Sequence, residues 1–180
     1  MNRTYPPEVR NKMSQYYLLQ DSKKCIRCHA CEVQCKANKS LSIGPRLCQI
    51  VEVGPKLMGN NPRASYVFMP CYHCEKPWCV AACPTGAMQK RDDGIVFVDM
   101  DECVGCKACI QACPWGAPQW DAGNRVVLKC DYCMDRLDLG KEPACVSVCI
   151  TGALSFGKSS ELPSDRRKRH AEIIARSEFE

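Results

Sequence analysis

The chain has 180 residues, 17 of them cysteine, a hydrophobic fraction of 46% that counts cysteine, and a formal charge of +5. Cysteine at roughly 9% is well above ordinary usage, and the remaining apolar share of roughly 37% is thin for a core of this size, so the cysteines must help hold the chain together. No stretch approaches the ~18 apolar residues of a membrane span, and the ordered hydrophobic runs exclude an intrinsically disordered chain.

The length suits one compact unit or two small halves. At the start, Met1-Asn2-Arg3-Thr4-Tyr5 offers neither an apolar signal core nor a twin-arginine pair. That predicts a cytoplasmic protein, unless a signal-bearing partner carries it across a membrane. Thiols stay reduced in the cytoplasm, and an odd number of cysteines suits metal ligation better than a disulfide framework. The first group, Cys25, Cys28, Cys31 and Cys35, has the spacing C-x2-C-x2-C-x3-C. Residues 36–70 follow as an insertion, with a strand-like run at 47–53, turn signals at Gly54-Pro55 and Asn60-Asn61-Pro62, and a second run at Tyr66-Val67-Phe68. This segment is expected to form a flap over a metal site or a docking surface. Cys48 lies within it, outside every group, and reads as a small buried hydrophobe.

The second group, Cys71, Cys74, Cys79 and Cys83, is C-x2-C-x4-C-x3-C-P. After it, residues 87–90 and Ile95-Val96-Phe97-Val98 flank the turn signal Asp92-Asp93-Gly94 and predict a hairpin. The third group, Cys103, Cys106, Cys109 and Cys113, is C-x2-C-x2-C-x3-C-P, and the fourth, Cys130, Cys133, Cys145 and Cys149, is C-x2-C-x11-C-x3-C. A short strand is expected at 153–156. In the tail, Pro163-Ser164-Asp165 reads as a helix start capped by Ser164. The following Arg166-Arg167-Lys168-Arg169 opposes the helix dipole there and calls for an acidic partner or a solvated face.

The groups are an internal repeat, since three of them end in Cys-x-x-Gly-Ala, at 83–87, 113–117 and 149–153. The third group matches the bacterial ferredoxin run, in which three thiolates wrap one iron–sulfur cubane and the fourth ligates a neighbouring one. The last two cysteines of each group stand at i, i+4, which on a helical turn is one face. An oxidised 4Fe-4S core with four thiolates carries about −2, so four of them would turn the apparent +5 to about −3. The basic balance then serves as counter-charge and not as a nucleic-acid footprint, which no finger or stacking-aromatic motif supports. Zinc is the main alternative for C-x2-C pairs, but three groups with the x3 spacing argue against it. Cys25-Ile26-Arg27-Cys28-His29 fits the haem-attachment pattern, yet haem would strand Cys31. His29 and His73 read as packing or hydrogen-bonding residues, and Trp78, Trp115, Trp120, Tyr72 and Tyr132 as core. No Rossmann fingerprint, Walker loop or nucleophile–base pair is present, so the chain shows no substrate site.

Residues 24–156 resemble the iron–sulfur subunits of molybdenum and tungsten oxidoreductases, the polyferredoxin type. The most specific runs are Cys71-Tyr72-His73-Cys74-Glu75-Lys76-Pro77-Trp78-Cys79, residues 103–118, and Lys129-Cys130-Asp131-Tyr132-Cys133-Met134-Asp135-Arg136. The resemblance implies an α+β fold of two pseudo-symmetric bacterial-ferredoxin-like modules, each holding two 4Fe-4S clusters, with an insertion and a C-terminal helical arm. One half would be 1–35 with 114–156, the other 71–113, with the insertion at 36–70 and the arm at 157–180. Cluster A would take Cys25, Cys28, Cys31 and Cys149, and cluster B Cys130, Cys133, Cys145 and Cys35. Cluster C would take Cys71, Cys74, Cys79 and Cys113, and cluster D Cys103, Cys106, Cys109 and Cys83, with Cys48 no ligand. The implied path runs A, B, D, C, with A facing the catalytic subunit. Lys36 and Ile150 depart from the proline common after the last cysteine. The implied role is a non-catalytic electron-transfer subunit, cytoplasmic and anaerobic, with a catalytic Mo/W-pterin partner, a flavin or other redox subunit, no nucleic acid and no membrane span of its own. The alternative is a free soluble polyferredoxin serving several redox enzymes, hydrogenases among them.

Overall fold

The computed structural model describes residues 16–161 and, in the tail, 163, 164, 167, 168, 171, 172 and 175. The fold is α+β, built from short elements strung between cysteine loops. In chain order they are β1 (Tyr16–Gln20), α1 (Ala30–Asn38), β2 (Gln49–Met58), β3 (Asn61–Met69), α2 (Trp78–Ala81), β4 (Met88–Lys90), β5 (Val96–Val98) and α3 (Ala108–Ala112), then β6 (Gln119–Asp121), β7 (Val126–Leu128), α4 (Met134–Leu137), α5 (Ala144–Ser147) and β8 (Leu154–Lys158). The strands form four antiparallel two-stranded ribbons, β1–β8, β2–β3, β4–β5 and β6–β7. The expected hairpin is β4–β5, with Met88 opposite Val98. The expected strand near 153–156 is β8, which pairs with β1 in the register Gln20↔Leu154 to Tyr16↔Lys158 and so ties the two ends of the described core together.

Proline after the last cysteine stops two of the ligand helices, although α5, with Ile150 in that place, also has only four residues. Pro84 and Pro114 disfavour helical backbone at Cys83 and Cys113, so α2 and α3 have four and five residues and Cys113 is extended (φ −83°, ψ 116°). Lys36 imposes no such stop, and α1 runs nine residues with Cys31 and Cys35 both inside it on its buried face. The shared helical face predicted for the last two cysteines is therefore complete only in the first group. In the others the final cysteine falls just past the helix.

The insertion is one long hairpin. Its turn lies at Gly59-Asn60, while Gly54-Pro55, expected as a turn, sits inside β2 where the register with β3 shifts between Val53 and Lys56. Proline lacks a ladder donor and is accommodated at such an irregularity. The base of the hairpin is anchored. The Ile50 N–H donates to Glu32 Oε1 at 2.6 Å, the Gln20 amide bridges the Tyr66 carbonyl and the Phe68 N–H, and Arg27 pairs with Glu52 at 2.7 Å. The far end of the hairpin projects into solvent.

Two apolar cores result. One joins Cys31, Cys35, Leu47, Cys48, Ile50, Phe68, Cys145, Val146 and Leu154; the other joins Cys79, Met88, Val96, Cys109 and Val127. Cysteine supplies a large part of each. Trp120 and Val127 of the β6–β7 hairpin pack into the second core. In the tail, Pro163 and Ser164 are already helical and the Ser164 hydroxyl donates to the Glu161 carbonyl at 2.6 Å, so Ser164 is not the cap. Arg166, Arg169, Ile173 and Ile174 lie outside the described residues. Among the described residues no helix is long and apolar enough to cross a membrane.

Candidate metal centres

Each C-x2-C loop curls through a left-handed residue just before its second cysteine: Arg27 (φ 58°), His73 (45°), Gly105 (67°) and Tyr132 (54°). Only one of the four is glycine, and the left-handed region costs a non-glycine residue about 1–2 kcal/mol. His29 and Lys107 repeat the conformation at the next equivalent position of groups one and three. Such turns wrap backbone around a centre and aim N–H groups inward, as anion-binding concavities do. The His73 N–H lies 3.4 Å from the Cys71 sulfur.

Three pockets, each partly open to solvent, lie inside these wraps. One, of about 370 Å³, is lined by Cys71, Cys74, Cys79 and Cys113. A second, of about 310 Å³, is lined by Cys83, Cys103, Cys106 and Cys109. The third, of about 350 Å³, is lined by Cys35, Cys130, Cys133 and Cys145, with Cys48 also on its wall. Each therefore contains one cysteine from a different sequence group. Cys25 and Cys149 pack against the core that contains Cys31, while Cys28 is exposed.

The donor sets fit an iron–sulfur core. Burial pushes the thiols of Cys79 and Cys145 up to about 12 and those of Cys31 and Cys109 up to about 11, so these sulfurs become thiolates only when a metal displaces the proton. Cys83 and Cys149 are also partly buried, but backbone N–H groups, those of Met88 and Leu154 foremost, lower both. The Met88 N–H lies 3.4 Å from the Cys83 sulfur, and Thr85 and Thr151 stand 3.7 and 3.8 Å from the sulfurs of Cys83 and Cys149. The matching pairs follow from the Cys-x-x-Gly-Ala repeat. Gly86 and Gly152 have φ of 77° and 60°, which lets the chain turn back so that the first strand residue meets the sulfur. Among the described residues no three His, Cys, Asp or Glu side chains gather around a single-ion site. Zinc would draw thiolate sulfurs to about 3.8 Å of one another, whereas in a cubane each thiolate takes its own iron and the sulfurs stay further apart.

The quartet of Cys35, Cys130, Cys133 and Cys145 adjoins that of Cys71, Cys74, Cys79 and Cys113. Pro70 lines the first and Cys71 the second, while Lys129 lines the second and Cys130 the first, so two peptide links form the partition. After burial, the Cys71 sulfur is the largest influence raising the Cys130 thiol. On the ligand sets that the resemblance implies, C lies beside B, against the expected order A, B, D, C. Among the described cysteines, Cys28 and Cys106 are the exposed ones.

His73 and Tyr132 stack across this partition with ring centroids 3.7 Å apart, and His73 Nδ1 accepts the Val96 N–H at 2.9 Å. His29 Nδ1 meets Glu32 at 3.0 Å. Both histidines thus have the packing and hydrogen-bonding roles expected. The aromatic residues divide. Tyr132 is buried and Trp120 packs into the second core, but Tyr72, Trp78 and Trp115 are 45–53% exposed, forming the outer rim of the Cys71 cavity. Lys90 and Lys129, both buried, had no role in the sequence pattern. Lys129 directly precedes the Cys130 loop, but nothing in the sequence shows that it or Lys90 is buried.

Thiol quartets with exchanged members, in loops that wrap a centre, define a multi-cluster iron–sulfur protein of ferredoxin type. Comparison with known proteins agrees. A family model described as a 4Fe-4S dicluster domain matches residues 63–159. The B subunit of the anaerobic dimethyl sulfoxide reductase of Escherichia coli is 41% identical over 169 residues, covering 90% of this chain and 80% of that protein. The thiosulfate reductase electron transfer subunit of Salmonella typhi is 39% identical over 167 residues (92% and 87%), and the B subunit of the polysulfide reductase of Wolinella succinogenes 39% over 156 (86% and 82%). The chain belongs to this family of 4Fe-4S electron-transfer subunits of reductase complexes. It carries 4Fe-4S clusters, four by its cysteine groups, and is not itself the catalytic subunit.

Proposed function

We propose that the chain passes single electrons along four clusters to or from a catalytic Mo/W-pterin subunit, in the order A, B, C, D, with the sixteen-cysteine ligand assignment given above. The observation that carries this reading is that three cavities each close around a quartet containing one cysteine from another group. Two pseudo-symmetric ferredoxin-like halves, one on groups one and four and the other on groups two and three, account for the two cores. The stretch 114–128 joins the halves, and its hairpin packs with the second. Exposed Cys28 and Cys106 make A and D the ends at which partners exchange electrons, and A is the end proposed for the catalytic subunit. A flavin or other redox subunit would serve the opposite end. Cysteine usage favours a cytoplasmic location. The relatives are named as components of reductases, which favours a fixed subunit over a free polyferredoxin. With every iron fully ligated no position is open to substrate, so the chemistry is electron transfer alone.

Anaerobic co-purification tests the reading. The expected result is a stoichiometric pterin-containing partner, together with iron and acid-labile sulfide for four clusters. A colourless, iron-poor preparation that stays folded would overturn it.

A further inference from the structure

Lys129 is buried at 5% exposure, and its Nζ donates to two backbone carbonyls, those of Val96 and Cys130, the latter at 2.6 Å. Among the described residues no carboxylate pairs with it. A buried ammonium without a counter-ion is strongly unfavourable, and such charges in proteins are paired or face a charged group. Lys129 lines the cavity of Cys71, Cys74, Cys79 and Cys113 and, through Cys130, touches the wall of the next one. Its charge acts on the sulfur of Cys79 in one quartet and of Cys130 in the other. The neighbouring His73 supplies no negative charge; it is 1% exposed, with its Nδ1 occupied by the Val96 N–H. The missing anion must therefore come from the cavities themselves.

We propose that Lys129 is the counter-charge of the two inner clusters, and that it raises the reduction potentials of both above what their ligands alone would set. This rests on the cluster assignment proposed above. An oxidised core with four thiolates carries about −2. Taking up one electron adds one negative charge, and a fixed cation nearby stabilises the reduced form more than the oxidised one. The larger effect falls on cluster C, whose wall Lys129 forms directly. Lys129 does not line the pocket of Cys83, Cys103, Cys106 and Cys109, so the outer clusters are expected to respond least.

The test is a redox titration of the anaerobically purified, cluster-loaded chain, followed by electron paramagnetic resonance, with C identified as the centre lost in Cys113→Ser. Lys129→Met keeps the length and apolar stem of the side chain and removes its charge. The expected result is a full complement of iron, lowered potentials for two centres with C lowered more, and the other two centres unmoved. Lys129→Arg keeps the charge and should hold both potentials near the original. If Lys129→Met loses cluster C while Lys129→Arg retains it, charge is again the cause and the proposal stands. Unchanged potentials in a fully loaded Lys129→Met variant would overturn it, as would loss of the same cluster in both variants, which marks a packing role. Absence of clusters from the unsubstituted chain would instead refute the functional reading itself.

Discussion

At the scale of single residues, the cysteines that cross between groups carry the assembly. Cys109 belongs with Cys83, Cys103 and Cys106, and Cys113, four residues on, faces Cys71, Cys74 and Cys79. Cys109→Ser is expected to damage cluster D, and Cys113→Ser cluster C, each with loss of up to about four irons. Paramagnetic resonance checks this, since loss of the same centre in both variants would contradict the exchange of ligands. Cys48 shares the surroundings of Cys35. It is 4% exposed, its hydrogen bond to Cys35 and then its burial hold the thiol far above its ordinary range, and its sulfur lies 3.7 Å from the Cys31 carbonyl. It packs between Cys31 and Cys35, on the wall of the pocket that Cys130, Cys133 and Cys145 also line.

At the scale of elements, the cluster loops store conformational strain that the helices and ribbons must hold in place. Gly105 is the clearest case. Its φ is +67°, and a Cβ there would lie 2.7 Å from the Arg125 carbonyl and 3.1 Å from the Trp120 ring. Gly116 has φ +65° with nothing within 4 Å of the same position. Gly116→Ala should therefore lose only the left-handed term of about 1–2 kcal/mol, and Gly105→Ala distinctly more. Denaturant unfolding of the cluster-loaded variants measures both, and equal losses would show that the β6–β7 hairpin yields without cost. The insertion behaves as an element with two ends. Its base, with Leu47, Ile50 and Phe68, completes the core beside cluster B, and its outer part exposes Val53 and Leu57.

At the scale of the whole molecule, two small cores are joined by few direct ties. The Arg91 guanidinium makes two bonds to Asp138 at 2.8 and 3.0 Å, and the His73–Tyr132 stack crosses between the cores. An exposed ion pair of this kind contributes little. Stability must come largely from ligands that each bridge two sequence groups, so removing the iron should abolish the cooperative thermal transition and leave a chain without fixed tertiary structure. Calorimetry of chelator-treated protein checks this, and a sharp transition in iron-free material would contradict it. The sequence by itself determined the cofactor chemistry, the electron-transfer role and the β4–β5 hairpin, because cysteine spacing and turn residues act over a few residues and leave a direct trace. It also contained, in Pro84 and Pro114, the reason why α2 and α3 stop short, though nothing at Ile150 marked α5 as equally short. Tertiary structure alone decided that the pocket of Cys130, Cys133 and Cys145 adjoins that of Cys71, Cys74 and Cys79, that Cys48 lines the former, that Gly54-Pro55 stays within a strand, and that Lys129 is a buried cation. Those facts depend on which distant segments meet and exclude water, and residues far apart in a chain carry no local mark of their eventual contact.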